Sequence, residues 1–217
     1  MCSVKSFQFS TKFSTIDVRD MKRYEELCRV TPETPKSGNA CKIGINPHKS
    51  VMIKVLFICH GNICRSPMAE FIFKDIVSRR GLGDQFYIAS AATSTEEIWN
   101  GIGNPVYPPA KRELAKHGIS CEGKRAVQLK KSDYDKYDYL IAMEERNRKN
   151  MLRILGKDAK NKVSLLLDYA DEHGDIADPW YTGNFDITYR DVVRGCEGFL
   201  TYLEGKGQII MNETDLI

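Results

Sequence analysis

No run in this 217-residue sequence approaches the roughly 18 consecutive apolar residues that a membrane-spanning helix requires, so no membrane partner is expected. The opening "MCSVKSFQFSTKFSTIDVRD" spreads charges throughout and lacks the apolar centre of a secretory signal. A cytoplasmic protein is the expectation. Cysteine is present but not arranged as a scaffold. The seven cysteines are odd in number and scattered, which argues against a secreted disulfide framework and for reduced thiols, one of them a candidate for reactivity. Cys59, His60 and Cys64 find no second ligand pair at zinc-site spacing, so neither a zinc-stabilised module nor any other metal or cofactor is expected. A basic footprint is missing too. Residues 1–51 carry nine Lys/Arg against five Asp/Glu, and the remainder holds 23 basic against 24 acidic residues. The net charge of +3 therefore lives in the leader, and no nucleic-acid partner is indicated. Internal repeats and low-complexity tracts are absent as well.

What is present suits one domain with some extra chain. The composition, 42% hydrophobic and 28% charged, supports a sizeable core. Residues 1–51 show no sustained periodicity, and "RVTPETPKSGNACKIGINPHKS" is rich in turn formers. They read as a flexible extension or as a coding start set upstream of Met52. From Met52 to residue 217 the pattern is that of one domain, with 205–217 as a loose tail. "IKVLFI" (53–58), "FYIAS" (86–90), "YDYLIAM" (137–143) and "VSLLL" (163–167) read as strands. Helices are expected over 66–81, 108–118, 144–156 and 186–203, the first two with Pro near the start and the first three ending on Gly. Strands alternating with helices predict the α/β class: a three-layer sandwich around a four-stranded parallel sheet, flavodoxin- or Rossmann-like. Ligands of such sheets bind at the carboxyl ends of the strands, where Cys59 falls.

The segment "VLFICHGNICRSPMAE" (55–70) carries the chemistry. An apolar strand delivers Cys59, and a helix opens just after Arg65. Backbone N–H groups of the loop between them can converge on one point, aided by the helix N-terminus, to make an anion cradle. Gly61 and Asn62 tolerate the left-handed turns that a cradle needs. The same field favours thiolate over thiol, so the pKa of Cys59 is expected well below the free value of about 8.5. Arg65 can hold two oxygens of a tetrahedral anion, and Ser66 can donate its hydroxyl to the thiolate.

This loop resembles, almost residue for residue, the nucleophile loop of the low-molecular-weight protein tyrosine phosphatases. The similarity continues through "SAATS" (90–94), "GNPVYPPAKRELAKHGI" (103–119), "YDYLIAMEERN" (137–147) and "DPWYTG" (178–183). The resemblance implies a protein-tyrosine phosphatase that works through a phosphocysteine without metal. Cys59 is then the nucleophile, Arg65 the phosphate clamp and Asp178 the general acid. His60, Gly61, Asn62, Ile63, Cys64 and Ser66 surround the phosphate. Cys64 further becomes the thiol that captures an oxidised Cys59 as a reversible disulfide, and His117 becomes a support for Asn62. The implied partner is a phosphotyrosine-containing protein, with a cognate tyrosine kinase among the candidates, and the implied assembly is a monomer or weak dimer.

One flanking position carries two readings. Trp99, within what reads as a four-residue insertion "WNGI", is either an aromatic wall for the substrate ring or cover for a core edge. Trp180 and Tyr181 follow the acid and are expected to line the pocket. Rival activities on the same scaffold are arsenate reduction and phosphoarginine hydrolysis. The first needs relay cysteines that "YLIAMEERNRKNML" lacks, and the second tends to Thr where this chain has Ile63. A non-catalytic phosphotyrosine-binding module is opposed by the presence of both Cys59 and Asp178.

Overall fold

Alternate residues of one strand divide the core of this protein in two. In the computed structural model, which describes residues 52–209, strand β1 (Ile53–Cys59) sends Val55 and Phe57 into one apolar cluster and Leu56 and Ile58 into another. Both faces are apolar because both are covered, as a central parallel strand requires. Strands β2 (Phe86–Ala92), β5 (Tyr139–Ala142) and β6 (Val163–Leu165) complete a sheet of order β2-β1-β5-β6. All three pairings are parallel, with Val55 opposite Ile88 and Leu56 opposite Leu140.

Helices α1 (Arg65–Arg79), α2 (Pro108–Lys116) and α6 (Phe185–Gly205) supply the first cluster through Met68, Phe73, Leu114 and Phe199. Phe73 sits at its centre, with ring centroids 5.8 Å from Phe57, 5.3 Å from Phe86 and 5.4 Å from Phe199. Each such ring contributes about 1.5–3 kcal/mol by leaving water. Helix α4 (Glu145–Leu155) covers the other face with Met151 and Leu155. The crossover helices after β1 and β5 thus lie on opposite faces. That divergence opens a crevice at the carboxyl ends of these neighbouring strands. Two short helices, α3 (Asp133–Lys136) and α5 (Pro179–Thr182), lie in the connections.

The expected α/β sandwich with a four-stranded parallel sheet is the observed architecture. Element ends shift by a few residues: β1 and β2 run on to Cys59 and Ala92, while β6 stops at Leu165 and gives way to a 3-10 turn. Residues 98–103, which include the expected four-residue insertion "WNGI", form a β-hairpin. Strand β3 (Ile98–Trp99) pairs antiparallel with β4 (Ile102–Gly103). Asn100 and Gly101, with φ of 50° and 79°, make the tight reversal. Left-handed backbone at both central positions is what a two-residue hairpin with right-twisted strands demands.

Part of the expected tail is docked: Ile209 is buried and the Tyr139 hydroxyl bonds Gln208 Oε1 at 2.6 Å. The expectations for residues 1–51 and for 210–217 lie outside the described residues. Among the described residues, no helix is long and apolar enough to cross a membrane.

Candidate active site

Cys59 ends β1, and the loop from Cys59 to Arg65 wraps the carboxyl end of that strand. Two polar groups meet its sulfur. The backbone N–H of Asn62 lies 3.3 Å from Sγ, and the Ser66 hydroxyl lies 3.0 Å away. Helix α1 begins at Arg65, and its first intrahelical bond runs from Met68 N to Cys64 O. The N–H groups of its opening residues have no partner within the helix and face the loop.

Asn62 holds the loop in shape. It is fully buried and adopts φ of 57°, the left-handed region. Its side-chain amide donates to Ser66 Oγ at 2.9 Å and to Ser90 Oγ at 2.8 Å, while its Oδ1 accepts from Val127 N at 3.0 Å. An amide side chain suits this position because it both donates and accepts. The bonding continues away from the sulfur. Ser90 donates to Glu70 Oε2 at 2.6 Å, and Glu70 pairs with Lys124 at 2.7 Å and Lys74 at 2.5 Å. Burial pushes the Glu70 carboxyl up, but Lys124, Lys74 and the Ser90 hydroxyl outweigh it and hold its pKa below the ordinary range.

Gly61 was expected to share the left-handed turn; among the described residues of this loop only Asn62 takes it. Gly61 serves space instead, since a Cβ there would meet Glu97 Cγ at 3.0 Å.

Arg65 is 2% exposed and lies between two carboxylates. Its Nη2 is 2.5 Å from Asp178 Oδ2, its Nη1 3.1 Å from Glu144 Oε2, and Nη1 also donates to the Ile176 carbonyl at 3.1 Å. Glu144 is itself held by Asn147 Nδ2 at 2.8 Å. Burial would lower the guanidinium pKa, but Cys59, Glu144 and Asp178 raise it further, so the charge is permanent. Asp178 caps α5, with Oδ1 accepting from Trp180 N at 3.1 Å.

Cys59, Arg65 and Asp178 bound one cleft of about 180 Å³, together with His60, Gly61, Ile63, Cys64, Trp180 and Tyr181. This is below the range of about 300–1,000 Å³ for drug-sized ligands, so it fits one small group. Glu96 and Glu97 form the rim that the sequence reading missed. Glu96 Oε2 accepts from His60 Nε2 at 2.8 Å, and Glu97 accepts from Asn104 Nδ2 at 2.7 Å. Cys64 is a buried free thiol; burial first, then the charge of Cys59, pushes its pKa far up.

Two expected site residues lie elsewhere. His117 does not support Asn62. It follows α2, stacks on Tyr189 of α6 with ring centroids 3.7 Å apart, and approaches Glu113 at 3.6 Å. The side-chain amide of Asn62 is bonded instead to Ser66, Ser90 and the Val127 N–H, which fill the supporting role. Trp99 is 71% exposed on the hairpin and does not line the cleft. Glu70, Ser90, Lys124 and Glu144 went unrecognised in the sequence. Among the described residues, no three His, Cys, Asp or Glu side chains converge to hold a metal ion.

Comparison with known proteins accords with this geometry. The family described as low molecular weight phosphotyrosine protein phosphatase matches residues 54–209. A relative named low molecular weight protein-tyrosine-phosphatase YfkJ, from Bacillus subtilis, is 38% identical over 160 residues, covering 73% of this chain and all of the relative. The low molecular weight phosphotyrosine protein phosphatase of Mus musculus is 38% identical over 151 residues, covering 67% of this chain and 92% of the mouse protein. The crystal structure of Bacillus subtilis YfkJ superposes with a TM-score of 0.68 at 37% identity, covering 73% of this chain and 99% of that one. That of SP-PTP, a low molecular weight protein tyrosine phosphatase from Streptococcus pyogenes, gives 0.62 at 38% identity, covering 70% and 93%. This chain belongs to the low molecular weight phosphotyrosine protein phosphatase family.

Proposed function

We propose that this protein hydrolyses phosphotyrosine in proteins, and small aryl phosphates, through a phosphocysteine on Cys59 and without a metal. The observation that carries the reading is the meeting of a nucleophile, a permanent cation and a carboxyl in one cleft: Cys59, Arg65 and Asp178. In the first step the Cys59 thiolate attacks phosphorus in line with the departing phenolic oxygen. The P–O bond breaks, and Asp178 gives its proton to that oxygen. In the second step water attacks the phosphocysteine, the Asp178 carboxylate takes the water proton, and Cys59 leaves again as thiolate. Arg65 and the loop N–H groups neutralise the equatorial oxygens in both steps. Ser66 and the Asn62 N–H lower the cost of the thiolate at both ends of the cycle.

Arg65 has a second task in this scheme. A bound phosphate competes with Asp178 for the guanidinium, and taking it frees the carboxyl to turn toward the leaving oxygen. Trp180 and Tyr181, both exposed at the rim, flank a planar aromatic ring. Cys64 protects the nucleophile: peroxide converts Cys59 to a sulfenic acid, and the Cys64 thiol condenses with it, releasing water and forming a disulfide that thiols can reduce. Such chemistry suits the reducing cytoplasm, and a tyrosine kinase or its targets would supply the substrate. A monomer or weak dimer suffices, since every proposed group comes from one chain. The direct test is hydrolysis of an aryl phosphate and a phosphotyrosine peptide by the wild type and by Cys59→Ser. Phosphoarginine and arsenate, run in parallel, should be turned over at least about a hundredfold more slowly if the ring and acid are matched as described.

A further inference from the structure

A second depression adjoins the catalytic cleft, and its charge differs from that of the cleft's own rim. It encloses about 590 Å³ between the start of α2 and the Asp178 loop. Trp180 lines both depressions and forms the ridge between them. The wall is aromatic: Trp180 packs on Tyr107 with centroids 4.9 Å apart, and Tyr107 lies 6.1 Å from Phe185. Four charged side chains border it: Arg112, Glu113, Lys116 and Asp186. Glu113 is buried and neutralised by Lys116 at 2.6 Å, with His117 beside it at 3.6 Å. Asp186 pairs with Arg190 at 3.4 Å. Arg112 is exposed and makes no ion pair or hydrogen bond with any described residue. Glu96 and Glu97 line the catalytic cleft and take no part in this depression.

We propose that this depression is a subsite for an acidic side chain of the substrate, held by Arg112 over the aromatic floor, on one side only of the phosphotyrosine. The inference rests on the phosphatase reading and adds a sequence preference to it. A phosphotyrosine seated at Cys59 directs one flank of its chain across Trp180 and the other toward Glu96 and Glu97. At roughly 3.3–3.6 Å per extended residue, the next few side chains on the first flank fall over the depression. A carboxylate there gains the free guanidinium, whose planar fork suits it. The same carboxylate on the other flank meets like charge. The rim is open to water, so the gain is that of an exposed pair: about 1 kcal/mol, or about fivefold in kcat/KM.

The test compares three phosphotyrosine peptides, with Glu on the amino-terminal flank, Glu on the carboxyl-terminal flank, or Gln on both. Wild-type protein, Arg112→Glu and Arg112→Lys are assayed, with p-nitrophenyl phosphate as a substrate that fills the catalytic cleft alone. The wild type should favour one Glu placement about fivefold over Gln and disfavour the other, with the preference shrinking as salt rises. Arg112→Glu should abolish or invert the preference, Arg112→Lys should retain most of it, and all three should turn over the small phosphate within about twofold, as for surface changes away from the reacting atoms. Equal turnover of the three peptides, equal preference for both placements, or a wild-type ratio in Arg112→Glu would overturn the subsite while small-phosphate turnover leaves the phosphatase reading standing. No turnover of any of these substrates would overturn both.

Discussion

Arg65 Nη2 and Asp178 Oδ2 lie 2.5 Å apart, so the phosphate clamp and the proton donor are paired with each other. Removing the Asp178 charge therefore has two effects of opposite sign. Asp178→Asn loses the proton donor, and kcat should fall by about 10²–10⁴, most steeply for substrates with basic leaving groups. The same variant frees the guanidinium from a competing carboxylate. Inorganic phosphate should consequently inhibit it several-fold more tightly than it inhibits the wild type. Steady-state kinetics with phosphate as competitor check both, and a weaker phosphate inhibition in Asp178→Asn would contradict the pairing.

Asn62 combines a left-handed backbone with buried side-chain bonds, and two substitutions separate these. Asn62→Ala loses the bonds to Ser66, Ser90 and Val127 and keeps a Cβ at φ of 57°. Asn62→Gly loses only the bonds. Loss of buried bonds costs about 1–3 kcal/mol, and the strained backbone adds roughly 1–2 kcal/mol for Ala. Denaturant melts should rank wild type above Gly and Gly above Ala, while both variants lose kcat/KM.

Glu70 links the loop to pH. Its folded-state pKa is held below its ordinary value, so its contribution is full above that ordinary value, about 4.3 for Glu. The contribution is lost as pH falls through the folded pKa. Glu70→Gln leaves the nearly buried Lys124 without its carboxylate and should destabilise by about 1–3 kcal/mol at neutral pH. The gap between wild type and variant should close below about pH 4. Melting temperatures across pH test this; a constant gap would contradict it.

Cys64→Ser should keep near-wild-type turnover under reducing conditions. Its thiol is buried and held protonated, so it does not compete as a nucleophile. After a peroxide pulse, thiol reductant should restore most of the wild-type activity and much less of the variant's, because over-oxidised Cys59 is not recovered. Equal recovery would remove the protective role.

Contiguous chemistry was legible in the sequence. Cys59, Arg65 and Ser66 sit on one strand–loop–helix unit, where residue order dictates proximity, and the apolar runs of β1, β2 and β5 marked the sheet. Parts assembled from separate elements were not legible. Glu70 is on α1, Ser90 on β2, and Lys124 and Glu144 lie in connections; only the packed sheet brings them near Asn62 and Arg65. The expected support of Asn62 by His117 came from the resemblance and not from the residues themselves; a helix-terminal position does not tell what the ring meets, and here it stacks on Tyr189. The hairpin at 98–103 has strands too short for any alternation to register, although Asn100-Gly101 was the available signal.

The central claim is that Cys59 carries the phosphoryl group and that no metal takes part. Its most direct test is turnover of p-nitrophenyl phosphate in excess chelator by wild type and Cys59→Ser, with vanadate as inhibitor. Full wild-type activity in chelator, inhibition by vanadate, and loss of at least about three orders of magnitude in Cys59→Ser are the predicted results. Substantial turnover by Cys59→Ser, or wild-type activity that chelation abolishes and added metal restores, would contradict it.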